Sequence, residues 1–252
     1  MTKYVSENIK SEIERKQASV DIILIENAII ENIEINNYDI IGVAYPVHAF
    51  NAPKIVINFA KLLPKINSKN AFIIKTVGET NIINNSSSKT LIKILSEKGF
   101  NVFIEIQFEM PSNFIVKDDE TKVENKICKV REEIPNAVHN ILNLTFQKQC
   151  TNALSNIMHF IGKMEWLGLL IFGKVFYVSK DCINCCLCVN NCPNKNINMD
   201  KKHVKINRHC GLCMRCIYLC PRNSIRPYWI YRFINIEKWY ENKEIAINKV
   251  EK

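Results

Sequence analysis

One stretch constrains this chain more than any other, because it spells the same cysteine spacing twice. Cys182-x2-Cys185-x2-Cys188-x3-Cys192-Pro193 is followed by Cys210-x2-Cys213-x2-Cys216-x3-Cys220-Pro221, each cysteine recurring 28 positions later. The register continues past the last cysteine, with Asn194-Lys195-Asn196-Ile197 against Arg222-Asn223-Ser224-Ile225. A repeat in spacing and chemistry describes a duplicated half-domain. The run is that of a protein holding two [4Fe–4S] clusters, in which the fourth cysteine of each copy serves the other copy's cluster.

The spacing has a geometric reason. Three thiolates at three-residue intervals curl one tight loop around a cube of iron and sulfide, with backbone N–H groups turned toward the sulfurs. The fourth follows a short helical turn and points away from its own loop. Proline after it has no N–H to satisfy and fixes φ, which turns the chain out of the segment. The expected ligand sets are Cys182, Cys185, Cys188 and Cys220 for one cluster, and Cys210, Cys213, Cys216 and Cys192 for the other. Ile183, Leu187, Val189, Ile197, Leu212, Met214, Ile217 and Ile225 are placed to shield them from water. Two other readings are weaker. Zinc wants four thiolates in a tetrahedron, and the third cysteine of each loop is surplus to that design. Disulfides need an oxidising compartment, and Met1-Thr2-Lys3-Tyr4 begins no signal peptide.

Nine of the eleven cysteines lie in residues 182–220 of a 252-residue chain, so a domain boundary falls before them. Cys128 and Cys150 read as ordinary buried thiols. The formal charge of +9 falls to about +5 once two oxidised clusters and their thiolates are counted, and it points to an acidic docking partner. Lys and Arg are scattered, which argues against nucleic acid. The longest apolar run, Trp166 to Gly173, is too short to span a bilayer. The expected location is the cytoplasm, and the spacing leaves the oligomeric state open.

The first 150 residues alternate helical and strand patterns. Residues 3–16 read as a helix with Val5, Ile9 and Ile13 on one face. Strands are expected near 20–25, 39–45, 71–77 and 101–108. A helix opens at Pro53 with Ile55, Val56, Phe59, Leu62 and Leu63 inward. Another runs from Ser86-Ser87-Ser88 through Leu91, Ile92 and Leu95 to a stop at Gly99. Residues 119–147 follow one face through Val123, Ile127, Val130 and Ile134, with Pro135 expected to break or kink them. Near-continuous apolar strands alternating with helices make an α/β doubly wound parallel sheet. Residues 151–177 read as a helical bridge, 178–227 as the cysteine domain, and 228–252 as an aromatic tail with Tyr228, Trp229, Tyr231, Phe233, Trp239 and Tyr240.

Taken together, these stretches resemble a bacterial family that fuses an N-terminal flavodoxin-like domain to a C-terminal two-[4Fe–4S] ferredoxin. The cysteine run carries the resemblance most specifically. Tyr38-Asp39-Ile40-Ile41-Gly42-Val43-Ala44-Tyr45-Pro46-Val47-His48-Ala49-Phe50-Asn51-Ala52-Pro53 is similar to the family's third sheet strand and the loop after it. In flavodoxins that loop and the one here at Thr76-Val77-Gly78-Glu79-Thr80 flank the flavin ring, so the resemblance makes Tyr45, His48, Phe50 and Gly78 the flavin-side candidates. Cys186 stands where bacterial ferredoxins often have glycine and reads as a non-ligand. The family's first strand and its phosphate-holding loop find no counterpart ahead of residue 20. The expected fold is thus a flavodoxin-like sheet without its first strand and phosphate loop, plus a small α+β ferredoxin domain. The chain as written is expected to be N-terminally shortened and not to hold flavin mononucleotide tightly. The function implied is electron transfer to a redox protein partner, with no catalytic residue assigned. The alternative is a flavin-dependent oxidoreductase fed by its own clusters.

Overall fold

The computed structural model describes residues 1–28, 33–112, 118–147, 149–172, 175–201 and 203–228, with backbone alone for 165–172. It divides into two compact units: Met1–Pro111 with Asp119–Lys163, and Ser112–Asp118 with Met164–Lys252. Trp229, Tyr231, Phe233, Trp239 and Tyr240, the aromatic tail of the sequence reading, lie outside the described residues, as does the Trp166 side chain.

Unit 1 is built on a three-stranded parallel sheet: β1 (Ile40–Pro46), β2 (Lys69–Val77) and β3 (Phe100–Glu109), in that order across the sheet. α1 (Thr2–Arg15) precedes β1, α2 (Lys54–Leu62) and α3 (Lys89–Glu97) form the crossovers, α4 (Glu120–Leu142) follows β3, and α5 (Ala153–Phe172) belongs to unit 1 as far as Lys163. Helices with a parallel three-stranded sheet make an α/β arrangement.

Side chains alternate across a strand, and the sheet uses both faces. Ile74 and Phe108 turn toward α1 and α4, where Val5, Ile9, Ile13, Val130, Ile134 and Val138 bury around them. These residues recur at helical spacing in α1 and α4, so the apolar stripe that the sequence wrote is the stripe that packs. The next residue on β2, Lys75, faces the other way and reaches Ser88 at the start of α3. Asp119 caps α4, its carboxylate accepting the Lys122 N–H at 2.8 Å. Gly99 closes α3 at φ +91°, with the Ile66 carbonyl where a Cβ would stand.

Four expectations are corrected. Residues 20–24 form neither strand nor helix, and Ile22, Ile23 and Leu24 are 38%, 46% and 38% exposed. A β-branched run has little backbone preference of its own and needs a ladder partner; among the described residues none lies beside it. Pro135 does not break α4, which continues through it as one helix, and Ile134, Ala137 and Val138 around it are buried in the core. Leu62 is 69% exposed, while Val56 and Leu63 are buried as expected, with Ile57 and Ala60 beside them. Cys128 and Cys150 are exposed thiols: Cys128 follows the buried Ile127 around α4 onto the outer face, and Cys150 lies in the segment before α5.

Unit 2 holds two short antiparallel ribbons, β4 (Phe176–Val178) with β7 (Ile225–Pro227) and β5 (Ile197–Asp200) with β6 (His203–Ile206). Two one-turn helices, α6 (Leu187–Asn190) and α7 (Arg215–Leu219), lie between them. Its core joins Val175, Phe176, Ile197, Val204, Ile206, Met214, Ile217 and Ile225 with Cys188. Among the described residues no helix is long and apolar enough to cross a membrane.

Candidate metal centres

The sequence repeat is a structural repeat. Shifting by 28 residues carries α6 onto α7 and β5 onto β7, and β4 onto the last three residues of β6. It also carries the left-handed residues Asn184, Cys186 and Lys195 onto Leu212, Met214 and Asn223. Left-handed backbone is uncommon outside glycine, so its recurrence in register shows two loops bent the same way. The halves exchange strands: β4 and β6 belong to different copies, and each pairs with the last strand of the other copy. Ser179 N–H donates to Ser224 O at 2.7 Å, and its counterpart Asn207 N–H donates to Asn196 O at 2.8 Å.

That exchange places the fourth cysteine of each copy beside the other copy's loop. One chamber is lined by Cys182, Cys185, Cys188 and Cys220, together with Cys186. The second is lined by Cys210, Cys213, Cys216 and Cys192. Backbone N–H groups point at the sulfurs: Asn184 N–H to Cys182 Sγ at 3.4 Å, Asn196 N–H to Cys192 Sγ at 3.2 Å, and Ser224 N–H to Cys220 Sγ at 3.2 Å. The last two are again related by the repeat. Among the described residues, no three His, Cys, Asp or Glu side chains meet where a single ion would sit; these sulfurs stand around chamber walls.

Burial pushes the Cys188 and Cys210 thiols up to about 11, and raises Cys213 and Cys216 as well. Sulfurs held this way carry charge only when a cation compensates them. The donor set fits an iron–sulfur cube in each chamber: four thiols, N–H donors aimed at sulfur, and an apolar wall. Ile225 lines the first chamber and Ile197 and Met214 the second, all buried; Ile217 is buried in the same core with Val189 and Leu212 packed against it, and Leu187 is partly buried. Ile183 differs from its expected role, being 59% exposed at the mouth of the first chamber. Sequence reasoning passed over Asn196, 3% exposed, whose carboxamide accepts from His209 N–H at 2.6 Å and donates to Asn207 O at 3.2 Å. It braces the start of the second loop. Its position, four residues after the fourth cysteine, was the available signal.

The flavin-side candidates have a different setting. Tyr45 is 1% exposed, its ring in the core and its phenol raised by burial, so it offers no face for stacking. His48 and Asn51 bond to each other's backbone at 2.9 Å around a turn whose inner residues, Ala49 and Phe50, both have positive φ. Burial holds the His48 imidazole down at about 4. The Asn51 carboxamide donates to the carbonyls of Ala49 and of His159 on α5. Gly162 of α5 lies so close that a Cβ there would stand 1.8 Å from the Ala49 oxygen. Gly78 ends β2, exposed, its carbonyl accepting from Lys126. A helix on the loop and a buried tyrosine do not fit a flavin ring at this place.

The opposite face of the sheet hides a polar group that no motif announced. Lys75, fully buried, pairs with Glu105 at 3.0 Å and donates to Gln149 at 3.2 Å, while Ser88 donates to the same carboxylate. Burial lowers the Lys75 ammonium below its ordinary value, and Glu105 opposes that.

No family model matches the chain, and no curated protein sequence does. Among solved structures, a flavodoxin from the domain Archaea is similar, at 15% identity and a TM-score of 0.32, over 55% of this chain and 90% of that one.

Proposed function

We propose that the chain is an iron–sulfur electron-transfer protein holding two [4Fe–4S] clusters. Cys182, Cys185, Cys188 and Cys220 hold one, and Cys210, Cys213, Cys216 and Cys192 the other. The observation that carries this reading is the composition of the two chambers, each drawing three cysteines from one loop and the fourth from the other copy. Bound clusters supply one-electron chemistry in which no covalent bond of the chain changes.

The protein's own residues do the rest. The N–H groups of Asn184, Asn196 and Ser224 offset negative charge on sulfur, which favours the reduced state. Phe176, Met214, Ile217 and Ile225 keep water from the sulfurs. Asn196 and the paired strands fix the loops, so little reorganises when charge changes. The test is a set of single substitutions read by iron content and low-temperature electron paramagnetic resonance. Cys220→Ala and Cys192→Ala should each lose about four of about eight irons, and should leave different reduced signals behind. Cys186→Ala should keep all of them. Loss of a cluster from the Cys186 variant, with retention in the Cys220 variant, would contradict the ligand sets.

A further inference from the structure

The two chambers share a backbone plan but not a surface. At six pairs of equivalent residues in and beside the two loops the first chamber is the more open, while Cys188 is buried where Cys216 is only partly so. Ile183, Asn184, Cys185, Pro221 and Arg222 are exposed where Gly211, Leu212, Cys213, Pro193 and Asn194 are only partly so. Cys186 is partly exposed where Met214 is buried at 2%.

Two residues account for the difference. Asn194 lies across the second loop, its carboxamide donating to His209 O at 3.2 Å, and it sits against Gly211 so closely that a Cβ there would stand 2.5 Å from its nitrogen. The repeat replaces this pair in the first chamber by Arg222 and Ile183. An isoleucine in the glycine's place could not sit under such a latch, and Arg222 lines the chamber as an exposed cation.

Charge completes the picture. Residues 175–228 carry nine Lys and Arg against Asp181 and Asp200 alone. Asp181 is taken up by Arg226 at 2.9 Å, and Asp200 lies 3.8 Å from Lys205. With both clusters loaded this segment remains at about +3.

We infer that the first chamber is the electron port, an apolar spot at Ile183 with the Arg222 cation beside it, where an acidic one-electron carrier protein docks. The second chamber is latched by Asn194 over Gly211 and exchanges electrons through the first. This rests on the two-cluster reading. Each encounter moves one electron, oxidising one partner and reducing the other, with no bond made or broken. Charge complementarity selects the acidic class, because opposite charges speed encounter at low salt.

The holoprotein offers a test that does not depend on electron transfer. Iron release to an anionic chelator should be biphasic, with about half the iron in the fast phase. Asn194→Ala should accelerate the slow phase, and Gly211→Ile should do so more strongly. A second arm follows electron transfer from a reduced flavodoxin of strongly negative net charge. Arg222→Glu should slow it about tenfold at low salt, and Lys195→Glu, the same charge change on the latched side, should alter it by less than about twofold. With about eight irons present, single-phase release or equal effects of the two charge reversals would overturn the port. Fewer than about four irons in the wild-type protein would overturn the cluster reading and the port with it.

Discussion

Unit 1 and unit 2 are held together by different chemistry. Unit 1 has a layered core in which Phe108, Val5, Val130, Val138 and Leu95 are wholly buried. Its strands run seven to ten residues in parallel pairing, with one register shift between Ala71 and Phe72 on β2. Apart from the end of α5, unit 2 has strands of three or four residues and helices of four or five. Its core is interleaved with thiols, Cys182, Cys192, Cys210 and Cys216 packing against the apolar cluster that includes Cys188. So few ladder bonds do not order a chain without a staple. On the two-cluster proposal, unit 1 is expected to fold on its apolar core, and unit 2 to depend on what its chambers would hold.

Four perturbations break or sharpen that contrast. The largest effect should follow iron removal under anaerobic chelation. Amides of β2 and β3 should keep their hydrogen-exchange protection, while those of β4 to β7 lose it entirely. Protection surviving in both units would show unit 2 to be self-sufficient.

Next in size is the core of unit 1. Phe108→Ala should lower its stability by about 4 kcal/mol, seen as a lower urea midpoint, and should leave the iron content unchanged. A change in iron loading would tie the two units energetically.

The buried ion pair should come third. Lys75→Met leaves the Glu105 carboxylate without its cation and should cost about 3 kcal/mol. The double variant Lys75→Met, Glu105→Leu should recover most of this. If the double variant is as unstable as the single one, the surrounding Ser88 and Gln149 contacts, not the pair, hold the network.

The smallest effect is one of pH. The folded His48 value of about 4 lies below the unfolded value near 6.5. Between these limits the unfolded chain binds the extra proton, so stability rises with pH across that window and falls as the solution is acidified. The loss from pH 7 to pH 5.5 should be about 1 kcal/mol, and His48→Gln should flatten it. An unchanged pH slope in that variant would assign the dependence elsewhere.

Much of this architecture was legible from residues alone, and the gaps have physical causes. α1, α2, α3 and α4 and the three strands of the sheet declare themselves through periodicity, caps and the Gly99 stop. The chamber composition follows from a repeat whose fourth cysteine must face away from its own loop. What failed were positions decided by neighbours. Residues 20–24 have strand composition without a strand beside them, and Leu62 and Cys128 lie a residue away from a buried stripe. Tyr45 reads as a ligand-facing aromatic by resemblance, yet it points into the core.

Lys75 and Glu105 could not be paired from sequence, because each looks like an interruption of an apolar strand until parallel register places β2 against β3. The latch was hidden in a similar way. Asn194 and Gly211 become a pair only once the two copies are folded onto each other, although the departures from the repeat at positions 183 and 222 were in plain view.

The central claim is that eight cysteines, drawn crosswise from two copies, hold two iron–sulfur cubes. Metal and acid-labile sulfide analysis of the anaerobically purified chain tests it most directly. About eight irons and eight sulfides per chain are expected, with a brown optical spectrum that bleaches on reduction. A colourless protein with zinc, or a chain with about four irons, would contradict it.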